Sequence, residues 1–374
     1  MLTALLVTAL LTCATLAQAA SAALTVDATP AGTQVSCDIG PPATVPAKAA
    51  AAGFTHCVAN FDFSQPTYAV PGWDLAAPAD QHWMDCQGEY PNALWHTGST
   101  GVEFWNPCDI HQVTDSLTGQ KVMRFEWLPI YDNRWGAKSG IPQANQVGIQ
   151  TASRRTAANN YTNIPTLSVG NYHVETVNRI ERVYTEAQNA GGPDAVYLYS
   201  SDPYHEVDVV EHQTNDTGHG GVVGMFANCA NAVVNPRAPW SNSGFCATNW
   251  GPNLFVGVPG YTDLVYHKYA ALRTSDGKTD TRVCMFLEDV MQGPACGPVL
   301  TGYAGSPVDT TFNDRSMLLI SAGSNNGAAV NPIDFDVASV ILWSCDAYQT
   351  NQCNGTTLQT QTLSTGQTES YYRP

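Results

Sequence analysis

The chain has 374 residues, of which 44% are hydrophobic and only 13% charged, with 31 glycines, 23 prolines and a formal net charge of −16. An acidic chain with 16 Lys and Arg lacks the footprint of a nucleic-acid binder or of a protein held on an anionic membrane, and has few cations with which to grip a polyanion. The length suffices for one large β-domain or two ordinary domains, and the richness in Gly, Pro, Asn, Ser and Thr is that of a turn-rich extracellular β-protein, not of a disordered chain.

Residues 1–22, from the start of "MLTALLVTALLTCATLAQAASAA", read as a signal peptide: an apolar run followed by small residues, with cleavage sites after Ala19 or Ala22. No Lys or Arg precedes the apolar run, a departure from the usual pattern. No second apolar stretch is long enough to predict a membrane span, so the chain is expected to be secreted, extracellular or periplasmic. Cleavage removes Cys13 and leaves ten cysteines, an even number with no CxxC pair, which predicts structural disulfides before a zinc or redox site. Pairing between sequence neighbours joins Cys37 to Cys57, Cys86 to Cys108, Cys229 to Cys246, Cys284 to Cys296 and Cys345 to Cys353.

Residues 23–57, rich in Ala, Pro and Thr, are expected to form an extension that does not fold alone and is tethered through Cys37 and Cys57. Residues 58–345 form the main domain. They carry short apolar or alternating runs such as "KVMRFEWLPI", "NYHVETVNRIERVY", "DAVYLYS", "HEVDVVEH", "YHKYAALRT", "TRVCMFLEDV", "RSMLLISAG" and "IDFDVASVILW", separated by Gly, Asn, Asp and Pro. Helical periodicity is weak throughout, and the pattern predicts an all-β sandwich of two antiparallel sheets. Residues 346–374, rich in Thr and Gln, are expected to be a flexible, low-complexity tail.

The stretch "YHEVDVVEH" concentrates acids and histidines in a charge-poor chain. A helix would put His205, Asp208 and His212 on one face as a metal-ligand set, but the β-branched valines and the Asp202-Pro203 turn before them favour a strand. The histidines are seven apart, not the four of a zinc-protease helix. On a regular strand Glu206 and Asp208 share one face, Val207 and Val209 the other, and Glu211 falls on the valine face. A β-bulge at Val209–Val210 would add one unpaired residue and return Glu211 to the face of Glu206 and Asp208. Three carboxylates in a row repel one another, and such a cost points to a use. Glycoside hydrolysis has that use: one carboxylate attacks the sugar carbon, or activates water, while a protonated carboxyl supplies the departing oxygen with a proton. Outer carboxyls about 5–5.5 Å apart imply retention, and a wider gap implies inversion. A plain solvent-facing acidic strand is the alternative.

Glu206-Val207-Asp208-Val209-Val210-Glu211 resembles the E-x-D-x-x-E catalytic strand of glycoside hydrolase family 16 in its bulged, laminarinase-like form. The order of neighbouring segments is similar to the family's as well: "GNYHVETVNRIERVY" before the motif, "YHKYAALRTSDG" after it, and "IDFDVASVILW" as a closing strand. "DAVYLYS" departs from the Trp-rich strand of many members, and no Arg stands two residues after Glu175. The resemblance implies a concanavalin-like β-jelly roll, a secreted retaining endo-hydrolase of neutral β-linked glucan or galactan, and the roles of nucleophile for Glu206, assisting residue for Asp208 and acid/base for Glu211.

Sugar clefts pair aromatic platforms with polar groups, which makes Trp95, Trp105, Trp135, Trp240 and Trp250 candidate subsite walls and places Tyr204 and His205 at the cleft's border. Trp127 and Trp343 lie in apolar runs and are expected in the core. His212 either partners Glu211 or faces the opposite sheet. No cofactor is required for this chemistry; Asp334 and Asp336 of "IDFDV" could hold a structural calcium of the kind found in some relatives. The expected partner is a polysaccharide or oligosaccharide, with no nucleic acid and no membrane, and the expected state is a monomer. Two other readings are a non-catalytic carbohydrate-binding jelly roll and a polysaccharide lyase on a similar fold, the latter disfavoured by the scarcity of Lys and Arg.

Overall fold

The computed structural model describes residues 29–65, 110–127, 146–150, 152–154, 163–165, 168–169, 171–181, 194–201, 204–212, 222–229, 264–276, 281–293, 296–298, 316–323, 333–345, 355 and 357–373. Residues 1–22, read as a signal, lie outside them. Among the described residues no helix is long and apolar enough to cross a membrane.

Two sheets face each other across an apolar layer. Among the described residues the front sheet has six strands: Ser168–Val169, Ser316–Gly323, Asp194–Ser201, Tyr204–His212 and Val222–Cys229 in that order, with Gln146–Gln150 also paired to Ser316–Gly323. The back sheet has ten, running Val290–Met291, Thr281–Leu287, His267–Ser275, Tyr172–Ile180, Ile333–Ser344, His56–Asp62 and Cys37–Ile39, with Lys121–Trp127, Ile110–Thr114 and Gly297–Pro298 attached. Pairing is antiparallel except for Cys37–Ile39 beside His56–Asp62. This is the expected all-β jelly-roll sandwich, and each of the long alternating runs read from the sequence is one of its strands.

The core follows from the period of two. Val196, Leu198, Leu318 and Ile320 of the front sheet meet Val174, Tyr269, Ala271, Phe335 and Val337 of the back sheet. At about 25 cal/mol per Å² of apolar surface removed from water, this layer is the main force that holds the sheets together.

The back sheet is apolar on its other face too, which explains why "YAALRT" and "RVCMFL" lack clean alternation: Ala270, Leu272, Cys284, Phe286 and Trp343 form a second buried layer. Trp343 is fully buried, in the core as expected. Two chain ends cover this face. The first contains a short helix, Ala47–Ala52, that buries Ala49 and Ala52 and ends at Gly53, whose φ of 82° suits the left-handed cap. The disulfide Cys37–Cys57 ties it to the sheet, as expected, and Gly40 has φ +87° with the Asn60 carbonyl where a Cβ would stand.

The second is the tail. Where the Thr- and Gln-rich composition predicts a flexible end, residues Thr357–Thr362 and Thr368–Arg373 form a hairpin. Low apolar content misleads here because Leu363 and Tyr371 suffice to pack the hairpin on the buried layer, and polar groups add the rest. Gln367 Nε2 donates to the Met291 and Gly293 carbonyls at 2.8 and 2.7 Å, and the Tyr372 N–H donates to Thr274 Oγ1 at 2.9 Å. Buried Glu369 pairs with Lys48 of the helix and accepts from Gln361 Nε2 at 2.6 Å. The disulfide Cys284–Cys296 holds the edge beneath, and Cys345 is also disulfide-bonded. The other expected pairs involve residues outside the described ones.

Lys48→Met should leave the Glu369 carboxylate buried without its cation and cost about 1–3 kcal/mol in urea unfolding, while Lys48→Met with Glu369→Leu should recover most of the loss. Equal stability of the single variant and the wild type would mean that the pair does not hold the two ends together.

Candidate functional site

The acidic strand Tyr204–His212 sits in the front sheet between Asp194–Ser201 and Val222–Cys229. Its register breaks at the double valine. Toward the preceding strand Val210 pairs with Val196 and Asp208 with Tyr197, so Val209 is skipped. Toward the following strand Asp208 pairs with Met225 and Glu211 with Val223, so Val209 and Val210 stand opposite the single residue Gly224. Two residues against one is a β-bulge.

The bulge decides which side chains go inward. Val207, Val209 and Val210 all belong to the core, and His212 is fully buried. Asp208 alternates with Val207, and Glu211 with His212, so both carboxylates belong to the face turned away from the core. Glu206 stands two residues before Asp208 and pairs with Tyr199 and Ala227 in unbroken register. Glu211 is half-buried, whereas Asp208 is 3% exposed. Without the extra residue, regular alternation would direct Glu211 into the apolar layer, where an ionised carboxylate is unstable unless paired.

Tyr204 and His205 stand at the strand's start, Tyr204 paired with Ser201 and Cys229 and His205 with Ser200 and Asn228. Trp95, Trp105, Trp135, Trp240 and Trp250 lie outside the described residues. His212 faces the opposite sheet: its Nε2 is 2.9 Å from Asn178 Oδ1. Tyr197, which the motif did not single out, is the cross-strand partner of Asp208 on the carboxylate face and is 9% exposed. Its signal was the alternation of Tyr197 and Tyr199 in "DAVYLYS". Glu175, by contrast, lies on the outer face of the back sheet beside His173 at 3.1 Å, away from the acidic strand.

A second acidic group, Asp115, Glu181 and Asp336, brings one carboxylate oxygen from each within 4.8 Å of the others. Arg124 donates from Nε and Nη2 to the two Asp336 carboxylate oxygens, at 2.8 and 2.9 Å, and also pairs with Glu181. Arg179 pairs with Asp115, with Glu181 at 3.0 Å and with Asp336 at 3.2 Å. Two guanidinium groups therefore pair with the three carboxylates, and a cation at Asp336 would compete with the bidentate Arg124. Burial alone would raise the Asp115 pKa, but hydrogen bonds from the Thr118 hydroxyl and N–H, with the Arg179 charge, outweigh it and hold the carboxyl below its usual range.

No protein-family model matches the chain, and no curated protein sequence matches it significantly. Solved structures similar to it include a GlcNAcα1-4Gal-releasing endo-β-galactosidase from Clostridium perfringens, 14% identical with a TM-score of 0.40 over 82% of this chain and 70% of that one. The laminarinase catalytic domain from Thermotoga maritima is 11% identical, with a TM-score of 0.41 over 70% and 95% of the two chains. The alginate lyase Aly36B is 9% identical, with a TM-score of 0.38 over 65% and 86%. Likenesses this distant assign neither substrate nor reaction.

The low Asp115 pKa makes a pH-dependent contribution to stability. A group whose folded pKa lies below its unfolded value of about 3.9 stabilises fully above that value, and the contribution is lost as pH falls through the folded pKa. Asp115→Asn should therefore cost about 1–3 kcal/mol at neutral pH, and the gap to wild type should narrow as urea unfolding is repeated at progressively acidic pH. A gap independent of pH would contradict the ion pair.

Proposed function

We propose that the protein is a secreted, retaining endo-glycoside hydrolase that cleaves a neutral β-linked polysaccharide, a glucan or galactan, with Glu206 as nucleophile, Asp208 as assisting residue and Glu211 as acid/base. The observation that carries this reading is the bulge at Val209–Val210, which gives Asp208 and Glu211 a common face. The acidic composition agrees with a neutral substrate.

The chemistry proceeds in two displacements. The Glu206 carboxylate attacks the anomeric carbon, the glycosidic C–O bond breaks, and Glu211 gives its proton to the departing sugar oxygen. Glu211, now a carboxylate, takes a proton from water, whose oxygen attacks the same carbon and releases Glu206. The negative charge leaves Glu206 as the neutral ester forms, stands on Glu211 meanwhile, and returns to Glu206 when the ester is hydrolysed. Asp208 lies between the two in sequence and on their face, 3% exposed, where a hydrogen bond from its acid form can orient the nucleophile and follow that change in charge. The protein acts as a monomer on this reading, with no cofactor.

Purified protein should release reducing ends from at least one member of a panel of β-1,3-glucan, mixed-linkage glucan, xyloglucan, agar and carrageenan. Glu211→Gln should lower that rate on the order of 10²- to 10⁴-fold and Glu206→Gln by roughly 10³-fold or more. Equal product formation by Glu206→Gln and wild type would remove the mechanism, and ultraviolet-absorbing unsaturated ends released from a uronate polymer such as alginate would identify a lyase.

A further inference from the structure

His212 is a titratable group inside the sandwich that the proposed chemistry does not use. Its ring is fully buried and meets Tyr269 and Phe335 edge-on, with centroids 5.7 Å away in each case. An amide oxygen only accepts, so His212 Nε2 carries the proton and donates to Asn178 Oδ1 at 2.9 Å. The buried Asn178 amide in turn donates from Nδ2 to Thr176 Oγ1 at 3.1 Å, which fixes its orientation. Asp194, the cross-strand partner of His212, is 3% exposed and is a further polar group at the same place.

A leucine would fill this space without taking an imidazole and an amide out of water. What an apolar contact lacks is direction. His212 follows Glu211, and both follow the bulge, where pairing is weakest and where burial cannot distinguish Val209 from Val210, since both are fully enclosed. A donor at His212 with its acceptor on the opposite sheet removes that ambiguity: the bond forms only in the register that turns Glu211 outward.

We propose that His212, held by Asn178, is a positioning residue that fixes the strand beyond the bulge and so aims the Glu211 carboxyl at the departing oxygen. This rests on the glycosidase reading above. His212 points away from the carboxylate face and touches no reacting atom; its effect is transmitted through the backbone it shares with Glu211.

The test compares kcat/KM on laminarin with that on dinitrophenyl β-laminaribioside. For both, the parameter reports bond cleavage, but only a sugar leaving group needs a proton; dinitrophenolate departs without one. His212→Leu and Asn178→Leu should each lose roughly 30-fold or more on laminarin and less than about threefold on the aryl glycoside, because a misplacement of about 1 Å costs on the order of 10²-fold in the step that uses the misplaced group. His212→Gln, whose side-chain N–H can stand where Nε2 stood, should return to within about fivefold of wild type on laminarin. Parallel losses on both substrates, no loss on either, or His212→Gln behaving like His212→Leu would overturn the proposal. If His212→Leu does not fold, Asn178→Leu and His212→Gln decide by the same criteria, with urea midpoints measured alongside. A wild type inactive on both substrates and on the rest of the panel would count against the glycosidase reading itself.

Discussion

An ionised carboxylate cannot lie unpaired in the apolar layer between two packed sheets, and the front sheet meets that constraint by leaving one residue of the acidic strand unpaired. In "EVDVVEH" a strict alternation would bury Glu211 and expose Val210. The bulge reverses both assignments: the two valines enter the core, and Glu211 stays on the face of Asp208. Hydrophobic burial of a second valine and avoidance of a buried charge thus favour the same irregularity, and a local defect in pairing becomes the feature around which a site can be built.

The rest of the molecule supports that strand from behind. The back sheet must be rigid to serve as a floor, yet it is apolar on both faces, and its outer face would be exposed without the two chain ends. The Cys37–Cys57 crosslink and the Ala47–Ala52 helix close it from one side, and the hairpin of residues 357–373 from the other, with Lys48 and Glu369 joining them. On the same sheet, Arg124 and Arg179 pair with Asp115, Glu181 and Asp336.

Much of this was legible in the sequence. Period-two alternation marks the acidic strand, whereas back-sheet strands, apolar on both faces, show as short apolar runs between turn residues; the valine pair announces the bulge because it breaks the alternation at one place only. Other features were hidden for physical reasons. The hairpin near the end docks through Gln367, Glu369 and backbone, with only a few apolar side chains such as Leu363 and Tyr371 on the sheet, so composition gives it the look of a loose tail. The side that His212 takes depends on whether the bulge forms, which strand propensity does not determine. Arg124 and Asp336 are more than two hundred residues apart, and no local pattern joins them. Tyr197 becomes a neighbour of Asp208 only through cross-strand register.

The central claim is that the bulge lets Glu206 and Glu211 work as a close pair on one face. Proton NMR of a hydrolysis in progress tests it most directly through the anomeric configuration of the first product. Carboxyls about 5–5.5 Å apart give net retention, so the β-anomer should appear first and the α-anomer only later, by mutarotation. An α-anomer at the earliest time points would mean inversion across a wider gap, and would contradict the pairing.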